Sequence, residues 1–192
     1  MFTIPEQRQI AVAAEPDALM WALWAGKETA YKVIRKSHPD VASTPKRYEV
    51  TLSPPIPDRT SIGSVCTPRG LVAINVSFAE DHLHCIGATP SLAILEQAIW
   101  RVERFPPAEN GIDQDPSIQV RAILIRGLAK LLHASPADIN IRRMEDTYGW
   151  GPPIPYLNDK PTPFDLSLTH DGAFVAYALL PSPYGDFLPW PH

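Results

Sequence analysis

The sequence predicts an α+β protein built as two similar lobes, each a long helix packed on a small antiparallel sheet. Three observations predict it. Each half of the 192-residue chain opens on a long stretch with apolar residues at helical spacing. Each then continues in short β-branched or alternating runs separated by polar turns. Between the halves lies a polar, proline-bounded segment, PAENGIDQD. These boundaries give an N-terminal lobe over 1–105 and a C-terminal lobe over 106–192, together one pseudo-two-fold domain.

In chain order, the first helix is expected over 16–36, where Trp21, Trp24, Tyr31 and Ile34 recur near helical spacing. The two tryptophans fall on that apolar stripe and are expected in the core. Ser43-Thr44-Pro45 ends the helical pattern, and RYEVTLS reads as a strand. LVAINVSF and HLHCIGA, joined through Glu80-Asp81, read as two further strands of a meander. Leu92, Leu95, Ile99 and Val102 share one helical face, so a second helix is expected over 90–105, stopped by Pro106-Pro107. In the second half Asp115 is placed to cap a helix with Pro116 at its first position. Val120, Leu124, Leu128 and Leu131 give that helix its apolar stripe. INIRRME then reads as a strand and YGWGPPIPYLND as a Gly/Pro-rich connection. FDLSLTH and AFVAYALL form a hairpin about Asp171-Gly172.

Composition narrows the functional classes. Hydrophobic residues make up 45% and charged residues 20%, ordinary for a globular protein, and no run approaches a membrane span. The N-terminus MFTIPEQRQI lacks the pattern of a signal peptide. Cys66 and Cys85 have no CxxC spacing, so a reducing, cytoplasmic setting is expected. A net charge of −4 argues against nucleic acid. The 22 prolines cluster at connections and near the C-terminus, with no internal repeat.

Two stretches carry chemistry. In LWAGKETAYK, Glu28 and Lys32 stand four apart on one helical face and Lys27 flanks them. Such a trio is either a solvated ion pair or a carboxylate metal ligand between phosphate-binding cations. The second option suits Mg²⁺, which one or two carboxylates plus substrate phosphates commonly hold. From Lys27 to Arg47 there are six Lys/Arg against two acids, a basic face on an acidic chain that suits an anionic ligand. In FDLSLTHDG, Asp165, Ser167 and Thr169 alternate with apolar residues, and His170 sits at the strand end, either a surface residue or a phosphate donor. Asp81, His82, His84 and Cys85 also suggest a metal site, but strand alternation places at most two of them well. Arg121, Arg126 and Lys130 form either a solvated helix face or a surface for an acidic partner.

Trp24-x-x-Lys27-Glu28-x-x-x-Lys32 followed by Ser167-Leu168-Thr169-His170-Asp171-Gly172 resembles the signature pair of the 4′-phosphopantetheinyl transferases, whose motifs read W-x-x-K-E-A-x-x-K and S-L-S-H. Thr29 stands for the family's Ala and Thr169 for its second Ser. The resemblance spans about 22–53 and 120–180. It implies a two-lobe α+β fold, and transfer of the phosphopantetheine arm of coenzyme A to a serine of an acyl or peptidyl carrier protein, with Mg²⁺. It further implies that Glu28 ligates the metal and assists deprotonation of the serine. Lys27 and Lys32 would neutralise the pyrophosphate, Lys32 would stabilise the leaving group, and Ser167 and His170 would contact coenzyme A phosphates. The chain departs from the family in two places. Relatives with the helix first carry a G-x-D metal-binding strand ahead of it, and the residues before Trp24 hold none. Gly111-Ile112-Asp113 and Gly185-Asp186 are the two stand-ins. Many relatives also place Lys or Arg inside a Gly-Pro segment, where this chain has Gly151-Pro152-Pro153. The first departure implies either a mis-assigned start or a degenerate relative that binds coenzyme A or a carrier protein without efficient transfer.

Overall fold

The computed structural model describes residues 1–53, 60–89, 92–105 and 115–181, apart from the side chain of Asp146. The chain divides into two units, Met1–Glu96 and Gln97–His192.

The first unit opens on a helix that the sequence reading missed, α1 (Ile4–Val12). Its signal is a capping box. Thr3 accepts from the Glu6 amide, Glu6 returns a carboxylate oxygen to the Thr3 amide, and Pro5 lies in the first turn. The second helix, α2 (Pro16–Ser37), matches the expected span, with Pro16 at its start and Arg35 and Lys36 in its last turn. A 3₁₀ turn over Pro45–Arg47 leads into an antiparallel meander of β1 (Glu49–Leu52), β2 (Thr60–Thr67), β3 (Gly70–Phe78) and β4 (Leu83–Ala88), in sequential order. Three of these strands were legible. β2 was not, because TSIGSVCT is short of large β-branched residues. Strand alternation turns Val50, Val65, Val72, Ile74 and Val76 onto α2, where they meet Ala22, Leu23, Ala30 and Ile34. Trp21 lies outside this stripe and is 53% exposed, while Trp24 is half-buried, so only the latter approaches the expected core role.

The helix expected over 90–105 is not formed. A single turn, α3 (Leu92–Leu95), lies against β3 and β4, and the chain then extends into β5 (Ile99–Arg104). Leu92, Leu95, Ile99 and Val102 happen to fit helical spacing. Ile99, Trp100 and Val102 favour strands, and pairing with another strand decides the outcome. That pairing puts β5 in the second unit, so the boundary falls at Glu96/Gln97 and not at residue 105.

In the second unit α4 (Pro116–Leu131) starts as expected, Asp115 Oδ1 accepting from the Ser117 amide at 2.8 Å. After a 3₁₀ turn at Pro136–Asp138 come β6 (Ile139–Arg142), the two-residue strands β7 (Glu145–Asp146) and β8 (Gly149–Trp150), β9 (Ile154–Leu157) and β10 (Lys160–Pro161). The stretch read as a plain connection thus contains strands. Asn158 and Asp159, both at positive φ, make the two-residue turn between β9 and β10. β11 (Phe164–Asp171) and β12 (Phe174–Pro181) form the expected hairpin, and β12 pairs on its other side with β5. Val120, Ile123, Leu124 and Leu128 of α4 pack on Ile139, Ile141, Leu166, Val175, Tyr177 and Leu179. Each unit is therefore a long helix on antiparallel strands, an α+β architecture.

Candidate functional site

The WxxKE stretch lies midway along α2, and three neighbouring residues there have different fates. Lys27 is 2% exposed, with its ammonium inside the unit. It pairs with Glu6 Oε2 at 2.8 Å and donates to the carbonyls of Pro45, at 3.0 Å, and of Tyr48. An ammonium has three N–H donors, so all of them are committed. Glu6, 1% exposed, is equally well used, since Thr3 N donates to Oε2 at 2.7 Å and Val50 N to Oε1 at 3.0 Å. Burial pushes the Glu6 carboxyl upward, but the hydrogen bonds from Lys27, Val50 and Thr3 outweigh it and hold the group below its ordinary value. This network ties α1, α2, the 3₁₀ turn and β1 together. It leaves Lys27 no donor for a pyrophosphate, and so corrects the phosphate-binding role expected of it. The missed α1 is the reason, because it supplies the carboxylate that takes Lys27.

Glu28, the next residue, is half-buried. Among the described residues its carboxylate has neither a hydrogen bond nor an ion pair, so the expected pair with Lys32 is not made. Its charge is felt at Tyr48, whose hydroxyl burial pushes up, helped by Tyr31 and Glu28 and opposed by Arg47. The Tyr48 hydroxyl is enclosed without a hydrogen-bond partner among the described residues, and its ring meets Tyr31 edge-on at 6.5 Å. Lys32 is exposed one turn further on. It lies within electrostatic range of His84, whose pKa burial, His82 and Lys32 together lower to about 4, leaving a neutral imidazole at pH 7. Thr29 fastens this part of α2 to β4 by donating to the Cys85 carbonyl at 3.3 Å.

The SLTH stretch lies on β11. Phe164, Leu166 and Leu168 face α4, and His170 continues their row to the exposed end of the strand, opposite Val175. Ser167 falls on the other face with Asp165 and Thr169. Ser167 and His170 thus share a strand but not a face, so one phosphate does not meet both directly. Gly172, at φ +51°, opens the two-residue turn that follows.

Glu28 and Lys32 belong to the first unit and Ser167 and His170 to the second. Asp113 and Asp186, the stand-ins for the second metal carboxylate, lie outside the described residues. Among the described residues no group of three or more His, Cys, Asp or Glu is placed to hold a metal, and no helix is long and apolar enough to cross a membrane. A half-buried Glu28 carboxylate with no hydrogen bond or ion pair among the described residues fits the single-carboxylate, phosphate-completed way in which Mg²⁺ is commonly bound.

The class these observations define is α+β, a helix on antiparallel strands in each of two units. No family model, curated protein or solved structure matches the chain.

Proposed function

We propose that the protein transfers the 4′-phosphopantetheine arm of coenzyme A to a serine of an acyl or peptidyl carrier protein, with Mg²⁺. The observation that carries this reading is the contrast on α2. Glu28 and Lys32 leave the helix one turn apart, a carboxylate with no partner among the described residues and an exposed ammonium, while their neighbour Lys27 is consumed internally. This arrangement supplies a metal-ligating oxygen and a phosphate-neutralising cation from one rigid helix. His170, at the exposed end of a strand continuing S-L-T-H, supplies a second donor for phosphate.

Bound Mg²⁺ would neutralise charge on the pyrophosphate being broken. Glu28 would hold it and orient the carrier serine, accepting its proton directly or through water. Lys32 would offset the charge that builds on the departing 3′,5′-ADP phosphate. Phosphoryl transfer depends mainly on positioning and charge stabilisation, which these residue types provide.

The test incubates the protein with coenzyme A, Mg²⁺ and apo carrier proteins and follows the carrier's intact mass. Addition of the phosphopantetheine mass, abolished by Glu28→Ala and by chelator, is the expected result. Coenzyme A binding without addition across several carriers would instead identify a non-catalytic relative, and activity that survives Glu28→Ala would remove the metal role.

A further inference from the structure

Among the described residues β5 ends its sheet, whose order is β11-β12-β5. In an antiparallel ladder, alternate residues turn their amide and carbonyl toward the same neighbouring strand. Phe105 N donates to the carbonyl of Ala173, the residue before β12, so Glu103, Arg101 and Ile99 also turn toward β12. Trp100, Val102 and Arg104 therefore turn their main-chain groups to the outer edge. Val102, in the middle of the strand, finds no ladder partner on that side among the described residues. The first unit shows an end strand that is closed off, since the outward Val50 amide of β1 is taken by the Glu6 carboxylate. β5 contains no proline, and its Ile99, Trp100 and Arg101 are exposed. An edge of this kind is a template for another strand.

The sequence about Val102 says which strand fits. Residues equidistant from it are Arg101 and Glu103, Trp100 and Arg104, and Ile99 and Phe105. We propose that β5 pairs with β5 of a second copy of this chain, antiparallel about a two-fold axis at Val102. The two Val102 residues then exchange main-chain hydrogen bonds, the pattern for which their outward groups are oriented. Each Arg101 faces a Glu103 across the axis, each Trp100 an Arg104, and each Ile99 a Phe105. Opposite-charge, cation–π and apolar pairs thus recur on both sides of it. Within one chain Arg101 Nε already meets Glu103 Oε1 at 2.6 Å, and the axis joins two such pairs into a ring of alternating charge. An axis at Arg101 or at Glu103 would set like charges face to face, so the charges select Val102. Such self-complementarity is what an isologous interface requires. One strand pair is a small interface, so the dimer is a concentration-dependent one. It needs nothing from the first unit or from the transfer proposed above.

The experiment follows the whole chain by sedimentation over a range of concentrations, with native mass spectrometry. The parent is expected to pass from the chain mass to twice that mass as concentration rises. Val102→Pro removes the amide at the axis and leaves the ladder to β12, so it should abolish the dimer while the chain still folds. Arg101→Glu and Glu103→Arg each set like charges across the axis and should weaken self-association about 10-fold or more. Mixed in equal amounts, these two variants should recover the dimer as one copy of each. The double variant Arg101→Glu/Glu103→Arg should dimerise by itself as the parent does. Recovery on mixing is readable whether or not Val102→Pro folds. A parent that stays monomeric throughout, a dimer that persists in Val102→Pro, or charge variants that fail to recover each other on mixing would each overturn the pairing.

Discussion

The two units solve one packing problem with different chemistry. In the second, the buried side chains through which α4 meets its strands are apolar, Val120, Ile123, Leu124 and Leu128 lying on Leu166, Val175, Tyr177 and Leu179. In the first, α2 also buries an ammonium, and a carboxylate from α1 answers it. Helix–sheet approach is close in both. A Cβ at Gly26 would stand 3.1 Å from Ile74 Cδ1, and one at Gly127 would stand 2.4 Å from the Tyr177 hydroxyl. The difference lies in what fails when a contact is removed. An aliphatic contact degrades in proportion to the volume lost, whereas an ion pair, once halved, leaves a buried charge with no partner. The first unit thus places Glu28 and Lys32 on a helix whose seat depends on Glu6.

The largest effect should come from Lys27→Met, which strands the Glu6 carboxylate. Removing one partner of a buried pair costs about 3–5 kcal/mol. Leu124→Ala, the matched lesion in the second unit, should cost about 2–5 kcal/mol. The comparison is sharpened by the double variant Glu6→Gln/Lys27→Met. It should recover much of the single-variant loss, because the charge is then gone, while no second substitution of that kind exists for Leu124. Hydrogen exchange resolved by segment, together with denaturant titration, reads both. Equal losses in the single and double variants at Lys27 would break the distinction.

How much of this was legible follows from where each signal lies. The α2, α4, β3, β11 and β12 patterns depend on residues close in sequence, so periodicity and caps disclose them. β5 was misread as helix because its assignment depends on β12, far along the chain. Glu28 and Lys32 were legible as a pair of functional candidates, since a helix fixes their relation locally. The role of Lys27 was not, because it is decided by Glu6, twenty-one residues away on a helix whose only sequence mark is Thr3-x-x-Glu6.

Acid should weaken the first unit next. Two groups act on the first, and their signs agree. Glu6 has a lowered pKa, so its contribution is full above its ordinary 4.5 and is lost as pH falls through the lower folded value. His84 falls from 6.5 to about 4, so between those values the unfolded chain binds the extra proton and stability drops as pH falls. That window carries at most about 3 kcal/mol. Exchange protection in the first unit should therefore weaken between pH 6.5 and 4. His84→Gln should flatten the upper part of that slope, and an unchanged slope would remove His84 as its source.

The smallest effect is a rate, and it reports on the same seat. Cys66 is exposed on β2, whereas Cys85 lies on β4 beneath Thr29 of α2, and burial pushes its thiol up to about 12. The thiolate is the reactive form, so at pH 8 Cys85 should present only about one part in ten thousand of it. Iodoacetamide followed by peptide mass should label Cys66 promptly in the native protein and Cys85 only as α2 lifts from the sheet. Lys27→Met, by loosening that helix, should speed labelling of Cys85 while leaving Cys66 unchanged, and Leu124→Ala, in the other unit, should leave both rates alone. Native labelling of Cys85 as fast as that of Cys66 would mean that α2 does not stay seated, and the rigid presentation of Glu28 and Lys32 would fall with it.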